Sequence, residues 1–382
     1  EFAICRIEPR NMRMCRITKQ LRSTKDPGGG LHPFFLTKEI QEPTLIITRK
    51  DSGERHPLPH YAVIKEISYQ DVAFTYDLGN KFFYRGASGS RNKIEILLRL
   101  ILKLREIGFF IKSIPSLVKF KPDVIHVHGL VCILGGIFGK SVLGSRFVIT
   151  LHGITEATLV QKFPVLRYLL TYSDKVICVS SAIQNSLLKF IAATKLAVIP
   201  GGVDLELFRN LNLPRKNQLV AVGYLKWQKG YSYLLEAIAA LTKFSHYRLV
   251  IIGDGPERRQ IEEQIERLHL TDRVDVLGLL SQQEIVEHLN ESKLFIMSSL
   301  AEGLPKVLLE AMACGTPSVL TTACNAEGII EGVGTAVEPG NSLALANAIE
   351  ELLSDEERWN RLSKNCLEVA QGYGWETMAA KT

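Results

Sequence analysis

Short apolar runs alternate along the chain with longer stretches whose apolar residues recur at helical spacing, the pattern of parallel strands joined by crossover helices. The strand-like runs of the first half are Met12–Ile17, Thr44–Thr48, Asp123–Val127, Phe147–Leu151, Lys175–Val179 and Lys195–Ile199. Those of the second half are Gln218–Val222, Arg248–Ile252, Arg273–Leu277, Lys293–Met297 and Ser318–Leu320. An α/β chain with two doubly wound, Rossmann-like sheets is expected. Proline, glycine and polar residues interrupt the periodicity from Pro200-Gly201-Gly202-Val203-Asp204 through Pro214, which sets a boundary there. The expected division is an extension over 1–11, a first domain over 12–205, a second over 206–370, and a short helical piece over 371–382. Ligands of such sheets bind beyond the carboxyl ends of the strands, so two facing domains would share one cleft.

The length of 382 residues suffices for two ordinary cores, and 46% hydrophobic with 23% charged residues is a normal globular composition. The longest apolar run, Leu130 to Phe138, is too short to cross a bilayer, and nothing at the start reads as a signal segment; a cytoplasmic location is expected. Seven cysteines without a CxxC pair point to buried free thiols. The net charge of +6 hides an asymmetry: 29 Lys and Arg against 16 Asp and Glu up to residue 205, and 17 against 24 after it. A first half at +13 would attract nucleic acid, anionic lipid or an anionic glycan. No nucleic-acid fold signature accompanies the charge, so no nucleic-acid partner is expected. Arg91 to Lys121, with eight basic and two acidic residues, fits either a basic surface touching an anionic membrane or a helix packed on the first sheet.

Candidate chemistry concentrates in Ala301-Glu302-Gly303-Leu304-Pro305-Lys306-Val307-Leu308-Leu309-Glu310. Helical spacing begins near Pro305, so Glu302 lies in a loop and Glu310 inside a helix. The unpaired first-turn amides around Lys306 and Val307 form a ready site for phosphate oxygens, and carboxylates on both sides accept sugar hydroxyls. A nucleotide sugar has that shape, although an isolated glutamate pair of this kind more often just faces solvent. Lys226 and Lys229 fall in a loop after the strand Gln218–Val222, where a fixed ammonium would offset charge on a departing diphosphate. His126 and His128 share one side of a strand end, His152 ends the next strand, and Gly28-Gly29-Gly30 lets backbone approach a ligand. A metal pair at the histidines, solvated lysines and a flexible glycine loop are the plain alternatives.

Glu302 to Pro317 resembles the Glu, seven residues, Glu signature of retaining GT-B glycosyltransferases of the family-four type, and the likeness runs from about Met12 to Trp375. The resemblance implies the GT-B fold and transfer of a hexose from a nucleotide diphosphate sugar, UDP- or GDP-linked, to a hydroxyl of a glycan or lipid-linked acceptor. It implies that Glu302 holds sugar hydroxyls and Glu310 the ribose, while amides of Gly303, Leu304, Lys306 and Val307 hold the phosphates. It further implies that Lys229 binds the diphosphate, His128 reaches the sugar near the reacting carbon, His152 lines the acceptor side, and the loop of Gly29 and Gly30 lies against both substrates. The family often carries an Arg where this chain has Tyr224; Lys226 is the candidate substitute. No Asp-x-Asp is present, so no catalytic metal and no cofactor are expected. Gly374-Trp375 resembles the start of the family's last helix, which crosses back to the first domain, and here the chain stops early. A nucleotide-sugar epimerase or hydrolase on the same scaffold, or an adaptor that has lost catalysis, are the alternatives. Peripheral contact with the inner face of a membrane would suit a lipid-linked acceptor.

Overall fold

The computed structural model describes residues 12–18, 36–37, 39, 42–49, 62–67, 108–302, 305–324 and 328–382. Among them two parallel sheets form. The first runs β1 (Met14–Thr18), β2 (Thr44–Arg49), β3 (Ala62–Ile67), β4 (Val124–His128), β5 (Arg146–Leu151), β6 (Lys175–Cys178) and β7 (Leu196–Val198), in spatial order β3-β2-β1-β4-β5-β6-β7. The second runs β8 (Lys216–Val222), β9 (Arg248–Ile252), β10 (Val274–Gly278), β11 (Ser292–Met297), β12 (Ser318–Thr321) and β13 (Gly334–Val337), in order β10-β9-β8-β11-β12-β13. In each sheet the order reverses at one point, beside β1 and β4 in the first and beside β8 and β11 in the second, which opens a crevice at their carboxyl ends. This is the doubly wound arrangement expected from the apolar runs. Two strands were not expected, β3 and β13, and both lie at sheet edges.

Parallel strands are covered on both faces, so their residues are apolar on both sides. Leu219, Ala221, Leu249 and Ile251 pack on one face of the second sheet with the helices Tyr231–Ala240 and Ser342–Ser354, while Val220, Val222 and Val250 face Leu308, Leu309 and Met312 on the other. In the first sheet Cys15, Ile17, Ile125 and Phe147 join Phe109 and Leu117 of a helix over 108–120. Lys112 and Lys119 of that helix face outward. Its described part is therefore a core helix with a basic outer side; residues 91–107 lie outside the described residues, as do 1–11. The terminal helix Trp375–Lys381 returns to the first sheet: Trp375, Met378 and Ala379 cluster with Leu36, Ile46, Ile177 and Ile199. A bridge between Val203 and Gly374 aligns this return with the connection between the sheets. Six cysteines, 15, 132, 178, 314, 324 and 366, are buried free thiols; Cys5 lies outside the described residues. No helix among the described residues is long and apolar enough to cross a membrane.

Candidate active site

β8 ends at Val222, and the chain then turns through Gly223 to Gly230 over the carboxyl edge of the sheet. Gly230 has φ 64°, and a Cβ there would stand 2.2 Å from the Ser298 carbonyl oxygen, so only glycine lets this loop lie against the end of β11. The Ser298 hydroxyl donates to the Lys229 carbonyl at 3.0 Å, and the Leu300 amide donates to the Gln228 carbonyl at 2.7 Å. These ties bring Lys229 Nζ to 2.5 Å from Glu302 Oε1, with the two side chains only 15% and 18% exposed. Ser299 Oγ also donates to Glu302 at 3.5 Å, and Thr321 Oγ1 donates to the Ser299 carbonyl at 2.5 Å. Lys226 shares the cluster: burial lowers its pKa, Glu302 opposes that shift and Lys229 adds to it. Two ammonium groups thus face one carboxylate, and the excess positive charge suits a diphosphate.

Pro305 caps the helix Lys306–Ala313 from an extended conformation, and no side chain satisfies its first amides. Glu310 lies one turn further in, half-buried; burial pushes its pKa up to about 7, with Lys306 opposing. The Lys306 stem lies against Gly201, 3.8 Å from where a Cβ would be, and its Nζ sits 5.3 Å from the Trp375 ring centroid. Lys306 therefore joins the second domain to the connection and to the returning terminal helix.

The first sheet supplies a column of histidines. Arg16 on β1 is fully buried and donates from Nη1 to His126 Nδ1 at 2.9 Å. Because a guanidinium only donates, the proton of neutral His126 lies on Nε2, which donates to Thr150 Oγ1 at 2.7 Å. Burial, then Arg16 and His152, hold the His126 pKa well below its ordinary value. Both ring nitrogens of His126 are thus engaged in hydrogen bonds. His126 stacks on His128 with centroids 4.2 Å apart, and His128 on His152 at 5.4 Å, with His128 Nδ1 and His152 Nε2 3.2 Å apart. Burial lowers the His152 pKa to about 4, and the charge of Lys306 contributes to the shift.

The structure thus gathers Lys226, Lys229 and Glu302 in one cluster and His128 with His152 in another, both beyond strand ends, while Lys306 and Glu310 share the helix Lys306–Ala313. Gly29, Gly30, Gly303 and Leu304 lie outside the described residues. Tyr224 is exposed and offers no cation where the family Arg was expected. Three site residues escaped the sequence reading: Arg16, Glu156 and Tyr231. Tyr231 donates to the Gly223 carbonyl at 3.1 Å, and burial followed by Glu302 raises its pKa. Only Glu156 carried a signal, an acid three residues into a helix after the conspicuous His152-Gly153.

A model of the Glycosyltransferase Family 4 matches residues 73–207, and one described as Glycosyl transferases group 1 matches 204–368. The chain is 30% identical over 263 residues to an uncharacterized glycosyltransferase of Methanocaldococcus jannaschii, covering 66% of this chain and 72% of that protein. It is 28% identical over 266 residues to the N-acetyl-alpha-D-glucosaminyl L-malate synthase of Bacillus anthracis, covering 64% of this chain and 69% of that one. Its fold matches that of Anabaena HepE, solved in complex with UDP-glucose, at a TM-score of 0.73 and 20% identity over 97% of this chain and 98% of the other.

Proposed function

The chain belongs to the glycosyl transferases group 1 and has the GT-B fold, and from that premise we propose that it transfers a hexose, with retention, from a UDP- or GDP-sugar to a hydroxyl of a glycan or lipid-linked acceptor. The observation that carries the reading is the Lys229–Glu302 pair, 2.5 Å apart and half-enclosed beside the uncapped helix Lys306–Ala313. A diphosphate arriving between Lys226, Lys229 and that helix end replaces Glu302 as partner of Lys229. Glu302 is then free to accept hydroxyls of the sugar. Glu310, held near its titration point, accepts the ribose hydroxyls.

In the transfer, the bond from the anomeric carbon to the diphosphate oxygen breaks while the acceptor oxygen bonds to that carbon on the same face. The acceptor proton passes to a departing phosphate oxygen. Lys229, Lys226 and the first-turn amides offset the charge that builds on the leaving group, the interaction that grows most toward the transition state. His128 lies beside the carbon on which positive charge develops. Support for a UDP donor comes from the HepE complex, and an N-acetylhexosamine or hexose both fit the same hydroxyl acceptors.

A thermal-shift screen of UDP-, GDP- and ADP-sugars, followed by transfer assays and product anomer analysis, tests the reading. Glu302→Ala is expected to fold normally and to lose transfer by at least roughly 10²-fold; turnover near the unsubstituted rate would refute the assignment. Conversion of a nucleotide sugar without any acceptor would instead indicate an epimerase or hydrolase.

A further inference from the structure

We propose that Glu156 is a positioning residue of the transfer site: its carboxylate fastens the loop after β4 to the loop after β5 and so sets the distance and stacking of His128 and His152. The inference rests on the reading of His128 and His152 as the groups nearest the sugar and acceptor.

Glu156 lies three residues past Gly153, the N-cap of the helix Ile154–Lys162. An acid at this place commonly reaches back to the N-cap amide. Here the carboxylate does more. Its Oε2 accepts from the His152 amide at 2.7 Å, and its Oε1 accepts from the Leu130 amide, on the neighbouring strand's loop, at 2.9 Å. The Gly153 amide also points to it. One carboxylate thus bonds residues that directly follow β5 and nearly follow β4, whose last residue is His128. Burial favours its neutral form and the three amides favour the charged one, which alone offers both oxygens as acceptors.

Gly129 makes the arrangement possible. Its φ of 85° suits glycine, and a Cβ there would stand 2.9 Å from Glu156 Oε1. The amide of Gly129 meanwhile donates to the Thr150 carbonyl at 2.9 Å, so the loop after β4 is held to β5 on both sides of its turn. His128 Nδ1 and His152 Nε2, 3.2 Å apart, project from the two segments so joined. The sheet pairing of His128 with Thr150 fixes one side of this contact, and the Glu156 carboxylate fixes the residues that continue from it. Among the described residues Glu156 is the side chain that bonds both loops.

The full-length Glu156→Gln variant tests this with three readings: kcat of transfer, UDP affinity by calorimetry, and the histidine ring nitrogen spectrum at one fixed pH. Gln keeps the length but turns an amide toward one of the backbone donors. The expected result is a kcat lower by roughly 10- to 100-fold, the scale of an ångström-sized misplacement. UDP affinity should stay within about twofold, because the donor cluster lies on the other sheet, and the His128 and His152 ring signals should move. Unchanged kcat, unmoved ring signals, or UDP affinity falling in step with kcat would each overturn the proposal. Should Glu156→Gln fail to fold, Gly129→Ala, which displaces the same carboxylate, is read by the same three outcomes. If the unsubstituted chain transfers no sugar at all, the functional reading fails, whereas the ring spectrum still decides whether Glu156 sets the histidine pair.

Discussion

Replacing Glu302 by Gln should strengthen the binding of UDP while it destroys transfer. In the unliganded site Glu302 is the partner of Lys229 at 2.5 Å, so a diphosphate has to displace it. With an effective dielectric of about 20, two unit charges at that distance attract by about 7 kcal/mol, most of which offsets the cost of withdrawing both from water. The net value of a charge-assisted hydrogen bond is about 1.5–3 kcal/mol. Gln keeps a neutral acceptor for Lys229, so the share released is on the order of 1.4 kcal/mol, a tenfold gain in UDP affinity. The UDP-sugar gains less, since its hydroxyls lose the carboxylate they would have bonded. Calorimetric titration of both variants with UDP and with the UDP-sugar, at low salt and at about 0.15 M, separates the two effects. Lys229→Ala serves as the opposite control and should weaken UDP. Equal or weaker UDP binding by Glu302→Gln would refute the exchange of partners on which the mechanism depends.

Glu310 gives a pH dependence in the unliganded protein. Its folded pKa, about 7, stands above the ordinary 4.5, so between these values the folded state binds more protons than the unfolded one. Stability then falls as pH rises through that window, by up to about 3 kcal/mol. Glu310→Gln should flatten this fall in thermal denaturation curves at pH 5 and pH 7.5 and should weaken nucleotide binding; an unchanged slope would count against a buried carboxyl. The thiols give a second check. Burial pushes the Cys178, Cys314 and Cys366 pKa values up to about 12 and raises those of Cys15 and Cys324, so these five buried cysteines should react with a thiol reagent only after unfolding.

Much of the fold is written in residue patterns because a parallel strand buried on both faces needs an unbroken apolar run. β9 begins and ends where the run Arg248–Ile252 does, and β8 extends its run by only two polar residues. The two strands without such a signal lack the burial that would produce it. β3 reads Ala-Val-Ile-Lys-Glu-Ile, with Val63 61% exposed, and β13 is four residues that are half-buried throughout. β13 even starts on Gly334, where a Cβ would stand 2.0 Å from the Ser318 carbonyl oxygen, so close approach to β12 replaces side-chain packing as the reason for the residue.

The candidate site divides along the same line. Residue types at strand ends were legible, because His128 and His152 directly follow apolar runs and Lys229 and Glu302 lie in the loops that follow such runs. Which of them meet was not. Lys229 and Glu302 are brought together by Ser298, Leu300 and Gly230, contacts between two loops that no local pattern records. Lys306 shows the limit most clearly. In the sequence reading only its amide has a part, in a helix start suited to phosphate. In the fold the side chain lies between Gly201 and the Trp375 ring, parts of the connection and the terminal helix, and its charge lowers the His152 pKa. A change in the spacing of the two sheets would therefore move this cation relative to His152, while Glu310, on the same helix, travels with it.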